Sequence, residues 1–436
     1  MRTLNRELKD KIGETVTIAG WLHKKRLLGG LNFINLRDRS GLAQVLVKDS
    51  AEIEKLRSLQ VGTVLRVTGT VVADERAPGG AELHNVTLTV DMPVSEESPI
   101  EIDKPIPHKS ENLDTLFEYR PISLRNLQEQ KVFKIRSSLV RYIRDYLYDH
   151  EFTEIDTPKL LAGATEGGAE VFKLDYFGKT ATLAQSPQFY KQMMVGVFER
   201  VFEIGHSYRA EPSATSRHLT ELTMLDVEMG FVESHDEVLD LIGDMTMWTL
   251  RHVYDQHGDD LKSWQAPELK LPEDGKVPRF TVTEIHDMYS KANKTDTTQE
   301  KDLTPDEERW IADYARKNLN SDLVYATNFP AVAGKFYHKF LEDGTVAWAD
   351  LIFRGLEIAT CPLRENNYDK MVEQMKAAGL NPDDDGFRYY LMAFKYGLPV
   401  HGGCGFGIDR LVEKTLGLAN VKEATLFPRD INRLGP

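Results

Sequence analysis

The sequence is poor in cysteine and has no long apolar segment. Its 436 residues include two cysteines, Cys361 and Cys404, which provide neither a disulfide framework nor the paired spacing of a zinc site. No apolar run approaches the roughly 18 residues that a membrane-spanning helix needs. The first segment, MRTLNRELKDKIGE, is charged and lacks the apolar core of a signal peptide. These absences predict a cytoplasmic protein with no membrane partner.

An overall positive charge is also missing, which at first argues against a nucleic-acid partner. The net charge is -14. Residues 1–70, however, contain 13 Lys and Arg against 7 Asp and Glu, so they carry +6 and the rest of the chain carries -20. A basic first segment on an acidic protein can still bind a polyanion.

Strict alternation of strands and helices is absent, as is a G-x-G-x-x-G stretch that opens a helix. The pattern therefore predicts an α+β protein whose main sheet is largely antiparallel and flanked by helices. Five short apolar runs within residues 1–95 predict a small closed barrel. An OB-fold is the five-stranded barrel that binds oligonucleotides, and an SH3-like barrel is the alternative.

The remaining chain divides by composition. Prolines and alternating charges predict a linker or hinge over residues 96–130. Helical spacing begins at residue 131 and charged strands follow, which predicts a second domain over residues 131–436. A small helical insertion is expected within it at about residues 232–325.

The stretch YRAEPSATSRHLTELTMLDVEMG, residues 208–230, carries charges at spacings of two. Side chains alternate faces along a strand, so Arg209 and Glu211 are expected on one face. On the following strand the residues expected to share a face are Leu222, Met224, Asp226 and Glu228. The predicted unit is a hairpin with a charged face, and a merely solvated face is the alternative.

Two carboxylates, Asp350 and Glu357, interrupt the apolar stretch DLIFRGLEIAT. Hard oxygen ligands of this kind suit a Mg²⁺ ion that bridges substrate phosphates. The alternative is a structural pairing with Arg354.

The stretch HGGCGFGIDRLVEKTLG combines four glycines with the start of a helix. Gly402, Gly403, Gly405 and Gly407 allow close backbone approach and positive φ. A helix that starts directly afterwards places Arg410 in its first turn, where backbone N–H groups favour anions. Packing alone is the alternative explanation.

These stretches together resemble a known family. The hairpin YRAE…SRHLTELTMLDVE resembles motif 2 of the class II aminoacyl-tRNA synthetases, GGCGFGIDRL resembles motif 3, and FTEIDTPKL resembles motif 1. The stretch AQSPQFYKQ is similar to that of the aspartyl-tRNA synthetases. RGLEI and FPRDINRL resemble the archaeal-type (class IIb) branch, which some bacteria also have, and the resemblance covers essentially the whole chain.

The resemblance implies a ligase that uses ATP and Mg²⁺. It would join the α-carboxylate of L-aspartate to the ATP α-phosphate, then transfer the aspartyl group to the terminal ribose of tRNA, mostly by positioning and charge stabilisation. Arg209 would hold the α-phosphate, Glu211 the adenine amino group, and Arg410 the adenine and phosphates. The implied ATP contacts are Arg209, Glu211, Arg217, His218, Leu222, Glu357, Gly407 and Arg410, and the implied Mg²⁺ ligands are Asp350, Glu357 and Thr360.

The resemblance also implies how the amino acid is held. Glu166, Gln188 and Asp226 would bind its ammonium group. Lys191 and Arg364 would bind its side-chain carboxylate, and two cations would reject the neutral amide of asparagine.

Three stretches depart from the family pattern. Leu222 stands where an aromatic residue usually stacks on adenine, and Lys335 replaces an arginine. The residues before Arg364, Cys361 to Leu363, differ from the usual Ser-Gly-x-Gln-like stretch. These departures concern ATP affinity and the shape of the amino-acid pocket.

For the tRNA, the resemblance implies that the barrel holds the anticodon. Phe33 would stack on the middle base, Gln44 would hydrogen-bond it, and Arg26 would contact the backbone. His23 and Pro78 replace the Trp and Lys of strict enzymes, which implies a non-discriminating enzyme that aspartylates both tRNA(Asp) and tRNA(Asn). Its Asp-tRNA(Asn) would then be the substrate of an amidotransferase.

A homodimer is implied as well, through motif 1. Its apolar residues are Phe133, Ile135, Leu139, Ile143, Leu147 and Ile155, for which ordinary core packing is the alternative. Alternatives remain for the activity: an asparaginyl-tRNA synthetase, a paralogue acting on a non-tRNA acceptor, or an RNA-binding protein without catalysis.

Overall fold

The computed structural model describes residues 2–29, 31–106, 110–162, 170–212 and 215–435. The chain forms two compact units, residues 1–130 and residues 131–436. Within the described ranges, no helix combines the length and apolarity that a membrane crossing requires.

The first unit contains a closed five-stranded barrel, as the sequence predicts. The strands pair in the order β1-β2-β3-β5-β4. A short 3₁₀-helix over Asn5–Lys11 precedes them. The elements are β1 (Thr15–Leu28), β2 (Leu31–Asp38), β3 (Gly41–Val47), α1 (Ser50–Ser58), β4 (Val64–Ala73) and β5 (Ala81–Met92).

Alternation of buried and exposed residues builds this barrel. Ile34 and Leu36 on β2, Val45 on β3 and Val67 on β4 point into one apolar core and are at most 1% exposed. The helix α1 is not among the predicted elements. It is capped by Asp49, whose carboxylate accepts from the N–H groups of Ala51 and Glu52, at 2.8 and 3.1 Å.

The segment predicted as a linker, residues 96–130, contains two short helices, α2 (Ser110–Glu118) and α3 (Arg120–Ser123). Ile106, Leu116 and Phe117 form a small buried cluster there. The segment therefore has packed structure of its own.

From Leu127 onward the chain forms helices around a large sheet. Its elements are α4 (Leu127–Asp149), β6 (Thr153–Glu154), β7 (Leu160–Leu161), β8 (Lys173–Tyr176), β9 (Lys179–Leu183), α5 (Gln188–Phe198), β10 (Arg200–Tyr208), β11 (Glu221–Gly230), α6 (His235–Gln256), α7 (Gly258–Ser263), β12 (Arg279–Thr281), α8 (Val282–Asn293), α9 (Pro305–Asn318), β13 (Leu323–Pro330), β14 (Thr345–Phe353), β15 (Leu356–Pro362), α10 (Tyr368–Ala377), α11 (Arg388–Lys395), β16 (His401–Gly407) and α12 (Ile408–Leu416).

The large sheet has eight strands in the order β12-β13-β14-β15-β16-β11-β10-β6. Its inner pairings are antiparallel, while the two outermost pairs, β12 with β13 and β10 with β6, are parallel. This confirms the predicted α+β class. Strands β7, β9 and β8 form a separate small sheet.

The helices cover this sheet with apolar faces. Leu139 of α4, Ile242 of α6 and Leu411 of α12 join Phe202 and Phe406 of the sheet in the largest core. A second core involves α5, α10 and α11, and a third involves α8 and α9. The large sheet carries the charged residues that are described in the next section.

The sequence predicts one strand for FTEIDTPKL and one for VAWADLIFRGLEIAT, and both predictions are wrong. In FTEIDTPKL, only Thr153–Glu154 and the later Leu160–Leu161 pair in sheets. The stretch VAWADLIFRGLEIAT is a hairpin whose turn has Arg354 at φ 49° and Gly355 at φ 77°. Two left-handed residues in succession are typical of a tight hairpin turn, and this turn brings the carboxylates of β14 and β15 together.

Candidate active site

A cleft with a volume of about 300 Å³ opens on the large sheet. Its walls come from the β10–β11 hairpin, from β15 and β16, and from the start of α12. Twelve of the proposed site residues line it: Gln188, Arg209, Glu211, Arg217, His218, Leu222, Asp226, Glu357, Thr360, Arg364, Gly407 and Arg410. Lys191 and Asp350 are buried and contact residues of this lining, and Glu166 lies outside the described residues.

The connection after β10 carries the first pair of charges. The strand ends at Tyr208, so Arg209 and Glu211 lie beyond it and not on it as expected. They still share one side of the hairpin, because Arg209 Nη1 lies 3.9 Å from Glu211 Oε1. The Arg209 N–H donates to the Thr220 carbonyl at 2.9 Å, which joins the two arms.

The turn at residues 215–218 is organised by one hydroxyl. Thr215 Oγ1 accepts from the Arg217 N–H at 3.2 Å and lies 2.6 Å from His218 Nδ1. His218 Nε2 is 3.7 Å from Glu211 Oε2. The turn therefore fixes the backbone from which Arg217 and His218 enter the cleft.

Strand β11 shows the alternation expected from the sequence. Leu222, Met224 and Asp226 line the cleft. Glu228, next on the same face, is fully buried and contacts Arg364. This face is thus a structured part of the site, and the alternative of a merely solvated surface is wrong.

The two carboxylates of the β14–β15 hairpin lie together. Asp350 pairs with Thr360 in the strand register, and Thr360 Oγ1 donates to Glu357 Oε1 at 2.9 Å. Arg410 Nη1 donates to Glu357 Oε2 at 3.1 Å. Arg354 instead pairs with Asp322, at 2.7 Å, so the alternative role for these carboxylates is wrong.

Their pKa values differ in direction. Burial and the neighbouring Glu357 charge raise the pKa of Asp350 well above its usual range. Burial also opposes ionisation of Glu357, but Arg410, Thr360 and Arg209 together lower the pKa of Glu357. Two adjacent carboxylates and a hydroxyl form a hard oxygen donor set, and a divalent cation between them would allow both carboxylates to ionise. Within the described ranges, no group of three or more His, Cys, Asp and Glu side chains converges on a metal position, and this site offers two carboxylates and a hydroxyl.

A buried charge network lies beside the cleft. Lys191 Nζ donates to Asp226 Oδ1 and to the Cys404 carbonyl, both at 2.8 Å, and lies 3.6 Å from Glu228 Oε2. Arg364 donates to both oxygens of Glu228, from Nε at 2.9 Å and from Nη2 at 3.1 Å. Lys191 is therefore a buried lysine and not a surface one, whereas Arg364 is salt-bridged to Glu228.

Glu228 is the charged residue of this network for which the sequence motifs imply no role. Burial alone would raise the pKa of Glu228, but Arg364 and Lys191 outweigh burial and lower it. Its position on the β11 face was predicted, so the signal was present in the alternation. Gln188, with its amide oxygen turned toward Arg364, accepts from that guanidinium at 3.2 Å.

The glycines of β16 act by close approach. A Cβ at Gly403 would lie 1.9 Å from the Val227 carbonyl oxygen of the neighbouring strand, so no larger residue fits. The four glycines lie on a strand that ends at Gly407, and the described structure gives none of them a positive φ. The expected left-handed turn was wrong, whereas the expected helix start is confirmed because α12 begins at Ile408 and carries Arg410 in its first turn.

On the barrel, three of the proposed anticodon residues share the outer face of the sheet. Arg26 is opposite Phe33 between β1 and β2, and Asn35 is opposite Gln44 between β2 and β3. Phe33 is half-buried and does not belong to the barrel core. Gln44 Nε2 donates to Glu82 Oε2 at 2.7 Å.

The other two proposed anticodon residues, His23 and Pro78, have different surroundings. His23 lies at an irregularity of β1 between Leu22 and Lys24, and its side chain is buried. Burial and Arg37 lower the pKa of His23. Pro78 is partly exposed, in the connection between β4 and β5.

Comparison with known proteins shows which families this architecture resembles. A model of the tRNA synthetases class II (D, K and N) matches residues 112–431, and a model of the OB-fold nucleic acid binding domain matches residues 16–91. The chain is 41% identical over 436 residues to the aspartate–tRNA(Asp/Asn) ligase of Thermus thermophilus, with 100% of both chains covered. It is 39% identical over 433 residues to the aspartate–tRNA(Asp) ligase of Pyrococcus abyssi, with 97% of each covered. The solved asparaginyl-tRNA synthetase of Pyrococcus horikoshii with asparaginyl-adenylate matches at a TM-score of 0.90 and 29% identity, over 100% of both chains.

The barrel is therefore an OB-fold, and the SH3-like alternative is wrong. Because the first match spans most of the sequence, the chain belongs to the class II tRNA synthetases of the group described as D, K and N. This family membership also makes it a ligase, so the alternative of an RNA-binding protein without catalysis is disfavoured.

Proposed function

We propose that the protein is an aspartate–tRNA ligase that charges tRNA(Asp) and also tRNA(Asn). The observation that carries the proposal is the cleft itself. Cations and carboxylates suited to ATP and Mg²⁺ line it together with the buried Arg364, and the buried Lys191 contacts Asp226 of the same lining. The names of the Thermus and Pyrococcus relatives support aspartate as the amino acid.

In the first step, aspartate attacks the α-phosphate of ATP and forms aspartyl-adenylate with release of pyrophosphate. The substrate carboxylate is already ionised, so no general base is required. Arg209 and Arg410 stabilise the charge that develops on the phosphate, and Glu211 accepts from the adenine amino group. Arg217 and His218 bind the γ-phosphate end.

The adenine itself lies against Leu222 and the Arg410 guanidinium, with Gly407 leaving room for the nucleotide. Asp350, Glu357 and Thr360 would hold Mg²⁺, and the ion would supply positive charge to the phosphates. The raised pKa of Asp350 supports this assignment, because a cation at that position would relieve the repulsion between the two carboxylates.

The amino acid binds in the part of the cleft nearest Asp226 and Arg364. Asp226, Gln188 and Glu166 bind its ammonium group, and Lys191 and Arg364 meet its side-chain carboxylate. Glu228 holds both cations in place, since it contacts each of them. Asparagine would leave these cations facing a neutral amide, which disfavours it.

The barrel would hold the anticodon, with Phe33 as the stacking ring and Arg26 and Gln44 beside it. We assign the anticodon domain to residues 1–95, the hinge to 96–130 and the catalytic domain to 131–436. His23 and Pro78 would leave the third anticodon base poorly read. The Asp-tRNA(Asn) product would pass to an amidotransferase, and the reaction would take place in the cytoplasm.

We further propose that the chain is a homodimer. Ile135, Leu139, Ile143 and Leu147 are buried in the core of the same chain, so they are unavailable to a partner. The groove lined by Phe133, Val140, Tyr148 and Leu426 is the better candidate for the interface. Sedimentation velocity at micromolar concentration should give twice the 49.5 kDa chain mass, and a single monomeric species would contradict the dimer.

Pyrophosphate exchange tests the amino acid. The purified protein should exchange labelled pyrophosphate into ATP with aspartate and not with asparagine. Transcripts of tRNA(Asp) and tRNA(Asn) should then both accept labelled aspartate. Exchange that prefers asparagine would establish the asparaginyl alternative, which the solved Pyrococcus structure keeps open. Exchange without charging of either tRNA would favour a paralogue with another acceptor.

A further inference from the structure

The helix α9 belongs to the helical insertion, yet its first turns are held close to the cleft. It packs on the β14–β15 turn at Gly355, where a Cβ would lie 3.2 Å from Arg309 Cα. Glu357, which lines the cleft, follows two residues later. The start of α9 is thereby placed relative to the carboxylate end of the site.

A buried polar cluster fixes this helix start. Thr304 caps α9 and forms a reciprocal capping box with Glu307. The Glu307 carboxylate is fully buried, and it contacts His286 Nδ1 at 2.7 Å and Thr297 Oγ1 at 2.5 Å. The next residue, Glu308, consequently projects from a rigid turn.

Glu308 reaches the cleft through one arginine. Its Oε2 lies 3.4 Å from Arg217 Nη1, and the two side chains are 17% and 28% exposed. The backbone beside Arg217 is held separately, since the Val421 N–H donates to the Ser216 carbonyl at 3.0 Å. The remaining freedom of Arg217 is therefore in its side chain, which Glu308 restrains.

We propose that Glu308 is a positioning residue that holds the Arg217 guanidinium at the phosphate end of the cleft before ATP binds. This inference rests on the proposed function, in which Arg217 meets the γ-phosphate. An arginine has many rotamers, and ordering it on binding reduces affinity, so an arginine already restrained binds phosphate more tightly. The contact uses one terminal nitrogen of a fork that can bind a phosphate through others.

Calorimetric titration with ATP tests the proposal directly. Glu308→Ala should raise the ATP Kd about three- to tenfold, the effect of one unrestrained long side chain. Glu308→Gln keeps an acceptor oxygen and should recover most of that affinity. In pyrophosphate exchange, Glu308→Ala should raise the KM for ATP more than it lowers kcat.

The double variant Glu308→Ala with Arg217→Ala separates positioning from a structural role. It should bind ATP as Arg217→Ala alone does, within about twofold, because Glu308 acts through Arg217. Asp306→Ala is the matched control: it removes a carboxylate from the same helix turn, where Asp306 is exposed and pairs with Arg309. It should leave the ATP Kd unchanged.

Two results would overturn the inference. One is Glu308→Ala binding ATP as tightly as the wild type or more tightly. The other is additive losses in the double variant, which would make Glu308 an independent or structural contributor. Failure of the proposed function is distinguishable, because the wild type would then show no aspartate-dependent exchange whatever its ATP Kd.

Discussion

The cleft and the outer face of the barrel hold their proposed ligand-binding residues in different ways. In the cleft, cations and carboxylates are already in contact and largely buried, as with Arg364 and Glu228 at 2.9 Å. On the barrel, Phe33 and Gln44 lie half-buried on an open strand face. One region is preorganised by charge, and the other offers contacts that a flexible ligand completes.

This difference has an energetic consequence. Removing one member of a buried charge pair leaves the other member uncompensated, so its cost is large and falls on stability and activity together. Removing a half-exposed stacking ring costs only its own contact with a base. Substitutions in the cleft should therefore have larger effects than substitutions on the barrel face, and they should change stability and activity together.

Glu228→Ala should show the largest effect. It leaves Arg364 and Lys191 buried without their shared carboxylate, so the free energy of unfolding should fall by about 3–5 kcal/mol. Urea unfolding followed by circular dichroism measures this change. Glu221→Ala is the control on the same strand, because Glu221 is partly exposed and its ion pair with His206 is long, at 3.6 Å. This substitution should change the free energy of unfolding by no more than about 0.5 kcal/mol. Equal effects of the two substitutions would contradict the proposed preorganisation.

The same network predicts a pH dependence. The pKa of Glu228 is lowered from its ordinary 4.5 by Arg364 and Lys191, despite burial. A lowered folded-state pKa stabilises the protein above pH 4.5, and this contribution is lost as pH falls through the folded-state value. The difference in unfolding free energy between wild type and Glu228→Gln should therefore shrink on acidification. A difference that grows at low pH would show that Glu228 is not held ionised by its cations.

Arg209→Ala should have the next largest effect, on rate. Loss of one donor to a developing charge typically lowers a rate about 10²–10³-fold. Aspartate-dependent pyrophosphate exchange should fall by that factor while the unfolding midpoint stays near that of the wild type, since Arg209 is solvent-accessible at 40%. A folded variant with undiminished exchange would remove Arg209 from the phosphate site.

Much of the cleft was predictable because its motifs are local in sequence. Alternation placed Asp226 and Glu228 on one face, and the helix start placed Arg410 in a first turn. The β14–β15 turn was missed because VAWADLIFRGLEIAT reads as one apolar stretch, in which Arg354 gives no sign of its left-handed φ.

Long-range contacts could not be predicted from local sequence patterns. Lys191 meets the Cys404 carbonyl, and Arg217 meets Glu308, only because the large sheet and helix α9 bring distant segments together. No spacing rule connects such residues. The two cysteines show the same effect, since Cys361 and Cys404 lack a paired spacing yet their buried side chains contact each other. Resemblance supplied Lys191 and Arg364, but it did not supply Glu228 or Glu308.

Phe33→Ala tests the barrel face of this comparison. Loss of one stacking ring should weaken tRNA recognition by about 1–3 kcal/mol, measured as kcat/KM for aspartylation of tRNA(Asp). Pyrophosphate exchange without tRNA should be unchanged, because Phe33 lies in the other unit. A loss of exchange in a folded variant would mean that the two regions are not separable in this way.

Pro78→Lys should have the smallest effect, on selectivity between the two tRNAs. Pro78 lies in the β4–β5 connection before Gly79 and Gly80, whose φ values are 74° and 79°. A lysine there adds a cationic donor where the resemblance places readout of the third anticodon base. The ratio of kcat/KM for tRNA(Asp) over tRNA(Asn) should rise by at most about tenfold, or about 1.4 kcal/mol.

The ratio is the decisive readout, because an added positive charge attracts both tRNAs equally through their phosphates. Pro78→Ala removes the ring without adding charge, so it should leave the ratio unchanged and separate hydrogen bonding from loop rigidity. If Pro78→Lys speeds both reactions by the same factor, the position contributes only general attraction. If the wild type already prefers tRNA(Asp) by more than about a hundredfold, or about 2.7 kcal/mol, then its barrel reads the third base without a lysine. The contrast between a cleft that selects its ligand strictly and a barrel that accepts both tRNAs would then no longer hold.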